Sequence, residues 1–182
     1  YPPNPFREID GALPPAIDGG DPSRGQQLYL TGNLVGGLQC VSCHTLPTGE
    51  NGLVIAAAAL LQDEAKVVPQ LRNLYEKTRY DSEAAVNVRG FGFTHDGAVD
   101  DLFTFLQFPR FTFADDQGRR DVAAFLLAFD THTPPAVGVQ RTVLAPGDDG
   151  GTVGVLQSEA ELGRIDLIAK GVDALGRRAG WV

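Results

Sequence analysis

Residues 40–44 read CVSCH, and this segment constrains the chain more than any other. Two thiols in a C-x-x-C spacing with a histidine directly after them form the attachment signature of a c-type haem. Each thiol adds to one vinyl group of the porphyrin, and the adjacent imidazole becomes the proximal ligand of the iron. The segment therefore predicts one covalently attached haem c, held by Cys40 and Cys43, with His44 on the iron.

A redox pair and half of a zinc site are the other chemistries that use a C-x-x-C spacing. The chain has two cysteines in all, so no second pair completes a zinc site, and a redox pair leaves His44 without a role. Because haem attachment uses both thiols, no disulfide remains to brace the fold. We expect the thioethers and the iron ligands to brace it instead.

Because the chain has no methionine and only three histidines, the second axial position of the iron is filled by a histidine, is filled by a weaker or foreign ligand, or is left open. We predict His95, which lies in residues 89–97 (RGFGFTHDG). Glycines allow the backbone to approach closely, and the phenylalanines suit a porphyrin face. The alternative is His132, although a cationic imidazole just past a helix end is already stabilised by the helix carbonyls.

The net charge of −8 argues against a nucleic-acid surface and favours a basic redox partner. No apolar run is long enough to span a bilayer, so we expect no membrane span. The tyrosine start, the lack of methionine and the lack of an apolar leader indicate a processed or partial chain whose export signal is gone.

The chain divides into three predicted regions. Residues 1–20 contain five prolines and three glycines without periodicity, which indicates an extended arm lying on its own domain or on a neighbouring subunit. Residues 21–135 form the haem domain, and residues 136–182 form a small α+β appendage. Within the appendage we expect an extended segment, a helix and two strands, at residues 137–144, 151–162, 165–170 and 177–182.

Three helices are predicted in the central region. The first begins at Asp21–Pro22, an N-cap followed by proline, and runs to about Leu30. The other two carry apolar residues at i, i+3, i+4 and i+7, in residues 99–106 and 122–129. Seven of the ten phenylalanines lie between residues 91 and 113. They form either an ordinary aromatic core or a wall that shields a haem from water.

The order of several motifs resembles one haem domain of the bacterial dihaem cytochrome c peroxidase superfamily, in particular its electron-transfer domain. These motifs are residues 25–29 (GQQLY), 40–44 (CVSCH), 69–73 (PQLRN), 95–97 (HDG) followed by Leu102, and 121–129. The resemblance covers about residues 21–130. It implies a mainly α, cytochrome c-like domain, here with a Pro-rich arm and a C-terminal α+β extension.

The same resemblance implies that Arg72 lies near the haem propionates, with Arg89 a weaker candidate of the same kind. A surface ion pair is the other role for Arg72. The chain departs from the family in three ways: it has one C-x-x-C-H, it lacks the methionine ligand, and its appendage lies outside the match. His95 lies in the corresponding turn and replaces the methionine in this interpretation.

We therefore predict a monohaem, bis-histidine c-type cytochrome that exchanges single electrons with redox partner proteins. The resemblance implies an extracytoplasmic location, in a bacterial periplasm or outside the cell. The alternative is a five-coordinate haem enzyme of peroxidase type, in which His95 is a distal acid/base. The arm and the last strand are also devices for joining protomers, so we expect an oligomer or a filament.

Overall fold

A computed structural model describes residues 1–61, 63–79, 83–86, 90–94, 96–145, 147–173 and 175–182, with the backbone alone at position 181. The helices and strands of these residues are α1 (Pro22–Thr31), β1 (Val54–Ile55), α2 (Ala57–Leu60), β2 (Lys66–Val67), α3 (Leu102–Phe105), α4 (Asp116–Leu127), α5 (Thr152–Glu161), β3 (Ala169–Val172) and β4 (Arg178–Trp181). Short 3₁₀ turns cover Cys40–Ser42 and Leu74–Glu76. Strand β1 pairs antiparallel with β2, and β3 pairs antiparallel with β4.

The prediction of a mainly α, cytochrome c-like fold was wrong. Helices account for 27% of the described residues, and each of the two sheets has two strands. The reason is visible at α3, where Asp101 caps a helix that only begins at Leu102. Val99 instead forms a β-bridge with Phe93, although Val99 and Leu106 are both buried as the pattern required. Two of the buried residues in this pattern, Val99 and Leu106, therefore lie outside the helix.

Helix α1 begins where the sequence predicted. Asp21 Oδ1 accepts the backbone N–H groups of Ser23 and Arg24 at 2.9 and 3.1 Å, and Pro22 occupies the first helical position. A carboxylate in this place satisfies N–H groups that have no partner inside the helix. The helix ends at Thr31, one residue beyond the predicted end.

Helices α1 and α4 cross with no side chain between their backbones. A Cβ atom on Gly25 would lie 1.9 Å from the carbonyl oxygen of Asp121, so this position accepts only glycine. Beside the crossing, the Tyr29 ring lies edge-on to Phe125 and Phe129, with ring centroids 5.2 and 6.2 Å away. These contacts form the centre of the core.

A buried carboxylate also joins the two helices. Asp121 is fully buried, and its Oδ1 accepts the backbone N–H of Asp21 at 2.9 Å and the side-chain amide of Gln117 at 2.8 Å. Arg24 Nε lies 3.2 Å from Asp121 Oδ2, which makes an ion pair without the alignment of a hydrogen bond. The carboxylate thereby ties the start of α1 to the middle of α4.

The N-terminal arm lies on its own chain, at the end of α4. Asn4 is 1% exposed, and its Nδ2 donates to the carbonyl oxygens of Leu127 at 2.9 Å and Phe129 at 2.8 Å. Arg7 Nε donates to the carbonyl oxygen of Ala128 at 2.8 Å. The last carbonyls of a helix have no partner inside it, so these side chains cap α4. The sequence left two surfaces for the arm, its own domain or a neighbouring subunit. In the structure the arm contacts its own domain.

Replacing Asn4 with alanine is expected to destabilise the fold by about 2 kcal/mol or more, because each buried polar group left unpaired costs about 1–3 kcal/mol. Asn33→Ala, at an exposed position, is the matched control and should change stability by no more than about 0.5 kcal/mol. Urea denaturation followed by circular dichroism measures both variants. Equal midpoints for Asn4→Ala and wild type would show that the arm does not stabilise α4.

The C-terminal region agrees with most of its predicted elements. Helix α5 confirms the helix expected over residues 151–162, and β4 agrees with the strand expected over residues 177–182. Strand β3 begins at Ala169 and shares only residues 169–170 with the strand expected over residues 165–170. Residues 137–144, expected to be extended, contain turns and no strand. The predicted domain boundaries after residues 20 and 135 stay predictions. Among the described residues, no helix has the length and apolar character needed to cross a membrane.

Candidate cofactor site

The C-x-x-C-H segment forms a tight turn against the core. The N–H groups of Cys43 and His44 donate to the carbonyl oxygen of Cys40 at 3.2 and 2.9 Å. Cys40 and the next residue, Val41, pack against the core, and both cysteines are partly accessible. Side chains three residues apart lie on the same side of a 3₁₀ turn. The two thiols therefore share one side of this segment.

The His44 ring is held in one orientation by the backbone. Its Nδ1 lies 2.7 Å from the carbonyl oxygen of Gly49 and 3.1 Å from that of Pro69. Carbonyls only accept hydrogen bonds, so Nδ1 carries the proton and Nε2 presents its lone pair. Among the described residues Nε2 has no hydrogen-bond partner. Burial lowers the pKa of His44 against the raising effect of both carbonyls, and it thus favours the neutral ring that metals bind.

Two loops supply these carbonyls, and each is fixed by the other. The backbone N–H of Leu71 donates to the carbonyl oxygen of Thr48 at 3.1 Å. Gly49 has a φ of 77°, and a Cβ there would lie 2.6 Å from Leu71 Cγ. Tyr29 of α1 donates its hydroxyl proton to the carbonyl oxygen of His44. The imidazole is therefore supported from α1 and from residues 48–71 together.

Two buried donors beside these loops have no partner among the described residues. They are Arg72 Nε and Tyr75 Oη. Arg72 is 20% exposed, and its Nη2 lies 3.5 Å from Glu50 Oε1, so one part of the guanidinium is paired and the other is not. Buried polar groups in native proteins nearly always have a partner. Carboxylate oxygens accept hydrogen bonds from donors of this kind. The pair with Glu50 is the ion pair that the sequence left as the other role of Arg72, and its role beside a haem propionate stays a prediction.

The environment of the first thiol disfavours thiolate chemistry. Burial is the main cause that raises the pKa of Cys40 to about 11; a backbone hydrogen bond lowers it, and the neighbouring Cys43 has a smaller raising effect. Thiolate is the form that binds zinc and exchanges disulfides, and reactive cysteines have lowered pKa values. This environment suits a thiol that becomes a thioether better than it suits a redox or zinc ligand.

Apolar side chains near the motif in sequence are exposed. They are Leu46, Leu53, Val54, Leu61, Val67, Val86 and Phe91. The β1–β2 hairpin pairs Val54 with Val67 and leads directly to Pro69, whose carbonyl contacts His44. Val54 and Val67 therefore place two exposed apolar side chains next to each other, close in sequence to the carbonyl that contacts His44.

The predicted aromatic wall is divided between core and surface. Phe93, Phe105, Phe108 and Phe111 form a cluster of tilted rings, with centroid distances of 5.3 to 6.1 Å between neighbours. Phe93 is buried, and the other three pack partly buried against the core. Phe91, in contrast, is 85% exposed. The cluster itself is a core feature, so the first of the two sequence interpretations describes it.

Two predicted site residues, His95 and Arg89, lie outside the described residues. His132 is described, and it lines a separate cavity of about 380 Å³ that also contacts Arg7 and Arg164. Its backbone has a φ of 65°, and its N–H donates to Asp130 Oδ1 at 2.7 Å. Of the predicted site residues that the structure describes, Cys40, Cys43 and His44 share one turn. Arg72 pairs with Glu50, the residue after Gly49, whose carbonyl contacts His44.

Sequence reasoning missed Tyr75, Glu50 and the supporting role of Tyr29. Tyr75 lies three residues after Arg72, and this helical spacing is a signal that places two side chains on one face. No local signal identifies Glu50, which reaches Arg72 across 22 residues of sequence. Comparison with known proteins returned no match, whether to protein-family models, to curated proteins or to solved structures. The resemblance to the dihaem peroxidase superfamily accordingly stays a prediction.

Proposed function

We propose that this protein carries one covalently attached haem c and transfers single electrons. The observation that carries the proposal is the His44 ring, which two backbone carbonyls hold by Nδ1 while Nε2 stays unpaired within the described part of the chain. This ring directly follows two cysteines in the attachment spacing. An imidazole oriented by a second hydrogen bond is prepared to bind a metal. The proposal concerns this attachment chemistry and not the mainly α fold.

Each residue of the site has a defined role in the proposed function. Cys40 and Cys43 form the thioethers, and His44 binds the iron through Nε2. Arg72 and Tyr75 donate hydrogen bonds to the propionates, where a guanidinium forms strong, charge-assisted bonds. When bound, haem supplies an iron centre that gains and loses one electron.

The second axial ligand in the proposal is His95, on the sequence alone. The described residues on either side of it are bonded to residues 77 and 79: the N–H of Gly92 donates to the carbonyl oxygen of Lys77 at 3.2 Å, and that of Arg79 donates to the carbonyl oxygen of Asp100 at 2.8 Å. Lys77 directly follows the 3₁₀ turn that contains Tyr75. A bis-histidine iron has no open position, so the protein is proposed as a carrier and not as a peroxidase.

The charge of the chain suggests the kind of partner. A net charge of −8 favours redox partners with a basic surface, since complementary charges speed encounter. Covalent haem attachment is extracytoplasmic in c-type cytochromes, so we propose a periplasmic or extracellular location. Self-assembly through the final strand remains part of the proposal, since all four residues of β3 are exposed, as are Arg178 and Gly180 of β4.

The test is spectroscopic, on protein produced in a bacterial host with a haem c maturation system. We expect a low-spin ferric iron by electron paramagnetic resonance and an absorption spectrum that cyanide leaves unchanged. His95→Ala should convert the iron to high spin. His132→Ala is the matched control and should keep the wild-type spectrum.

Three outcomes separate the alternatives. Absence of covalent haem from the wild-type protein would refute the proposed function. A high-spin spectrum that changes on addition of cyanide or peroxide would favour the five-coordinate, peroxidase-type enzyme instead. A high-spin spectrum in His132→Ala but not in His95→Ala would move the second ligand to His132.

A further inference from the structure

We propose that the N-terminal arm positions Arg72 and thereby raises the reduction potential of the haem. This inference rests on the proposed function. It concerns Tyr1, whose ring covers the guanidinium of Arg72 at 4.5 Å from Cζ to the ring centroid. Arg72 and Tyr1 are far apart in sequence, so only the path of the arm brings them together.

Two groups hold Arg72 from different sides. The Tyr1 ring faces the guanidinium plane, and Glu50 Oε1 lies 3.5 Å from Nη2. A cation is attracted to the face of an aromatic ring. The backbone N–H of Arg72 also donates to Gln70 Oε1 at 2.6 Å, which fixes the start of the side chain. The buried Nε of the same guanidinium has no hydrogen-bond partner among the described residues.

Tyr1 is itself held in place by the far end of the fold. Thr133 Oγ1 donates to the carbonyl oxygen of Tyr1 at 2.6 Å. Three residues later, Asn4 is buried and bonded to two carbonyls at the end of α4. The arm therefore forms a continuous link from α4 to Arg72. The Tyr1 ring is a positioning group, because it acts on the site through the guanidinium of Arg72.

A fixed cation near a haem favours the form that has gained an electron, because that form carries one less positive charge. A free arginine side chain samples many rotamers and is surrounded by water, which weakens the same interaction. Removing the Tyr1 ring should therefore lower the reduction potential, and removing the Arg72 charge should lower it further. Both changes leave the thioethers and both axial ligands in place.

The experiment is a redox titration of the haem-loaded protein. Arg72→Gln should raise the ratio of oxidised to reduced protein at a fixed potential about tenfold, which corresponds to about 59 mV for one electron. Tyr1→Ala should raise the ratio about threefold, the size expected when a partly exposed cation–ring contact is lost. Tyr1→Phe keeps the ring and should behave as wild type. Arg178→Gln, at an exposed position in β4, removes a charge outside the site and should have no effect.

The double variant separates a positioning role from a general loosening of the protein. If Tyr1 acts through Arg72, then Tyr1→Ala combined with Arg72→Gln has the potential of Arg72→Gln alone. Additive shifts would contradict the inference, as would a Tyr1→Ala protein that titrates like wild type. Lack of covalent haem in the wild-type protein is a different result, since it refutes the proposed function itself.

Discussion

Replacing both Cys40 and Cys43 with alanine is expected to abolish covalent haem binding. In the proposed function each thiol forms one thioether, and the variant has no other cysteine to substitute for them. Each single variant keeps one thiol and is expected to retain a weaker, singly attached haem. Intact-protein mass spectrometry and haem staining on a denaturing gel measure attachment directly, because noncovalent haem is lost when the protein unfolds.

Ser42→Ala is the matched control for this prediction. Ser42 is exposed between the two cysteines, and its hydroxyl contacts only the Gln39 side chain within the described residues, at 3.2 Å. It should therefore attach haem as efficiently as wild type. A mass increase that persists in the double cysteine variant would remove the basis for a haem c protein. Loss of haem in Ser42→Ala alone would mean that the spacing is not the determinant.

The arrangement of the site was predictable to the extent that it is local. The cysteines and His44 lie within five residues of one another, so the sequence places them together, and their joint role as a haem site stays a prediction. The groups that orient the imidazole were not predictable in the same way. Pro69 lies 25 residues after His44, and its carbonyl reaches the ring only through the packing of two loops. Arg72 was named by family resemblance, with a surface ion pair as its other role, but no local pattern identified Glu50 as the partner in that pair.

The predictions of the fold also succeeded where they depended on neighbouring residues and failed where they depended on distant contacts. The start of α1 depends on Asp21 and Pro22, which act within one helical turn, and this prediction is confirmed. The mainly α class failed because periodicity reports burial and not helix as such: Val99 is buried in a bridge to Phe93. The position of the N-terminal arm depends on hydrogen bonds from Asn4 to carbonyl oxygens at the end of α4, more than 120 residues later in the chain. No local pattern contains that information.

Gly25 shows how a single residue connects the fold to the site. It lies where α1 crosses α4, one helical turn before Tyr29. Tyr29 packs on Phe125 of α4 and donates its hydroxyl to the His44 carbonyl. A change in the distance between the two helices therefore moves the support of the candidate iron ligand.

Gly25→Ala is expected to destabilise the protein by about 2 kcal/mol or more. The new Cβ would lie 1.9 Å from the carbonyl oxygen of Asp121, a backbone atom that cannot rotate away, so the helices must separate. Overpacking costs about 1–3 kcal/mol and occasionally more. The gain of about 1 kcal/mol from replacing a helical glycine with alanine offsets only part of this cost.

Gly154→Ala in α5 makes the same substitution in a helix with no other atom within 4 Å of the new Cβ. It retains the helix-propensity gain without the clash, so it should stabilise the protein by up to about 1 kcal/mol. At this chain length, the two variants should differ by about 6–12 °C in thermal midpoint, since 1 kcal/mol corresponds to about 2–4 °C. Differential scanning calorimetry on both variants measures the difference. Equal thermal midpoints for the two variants would mean that α1 and α4 do not cross at Gly25. The argument that α4 supports His44 through Tyr29 would then be wrong as well.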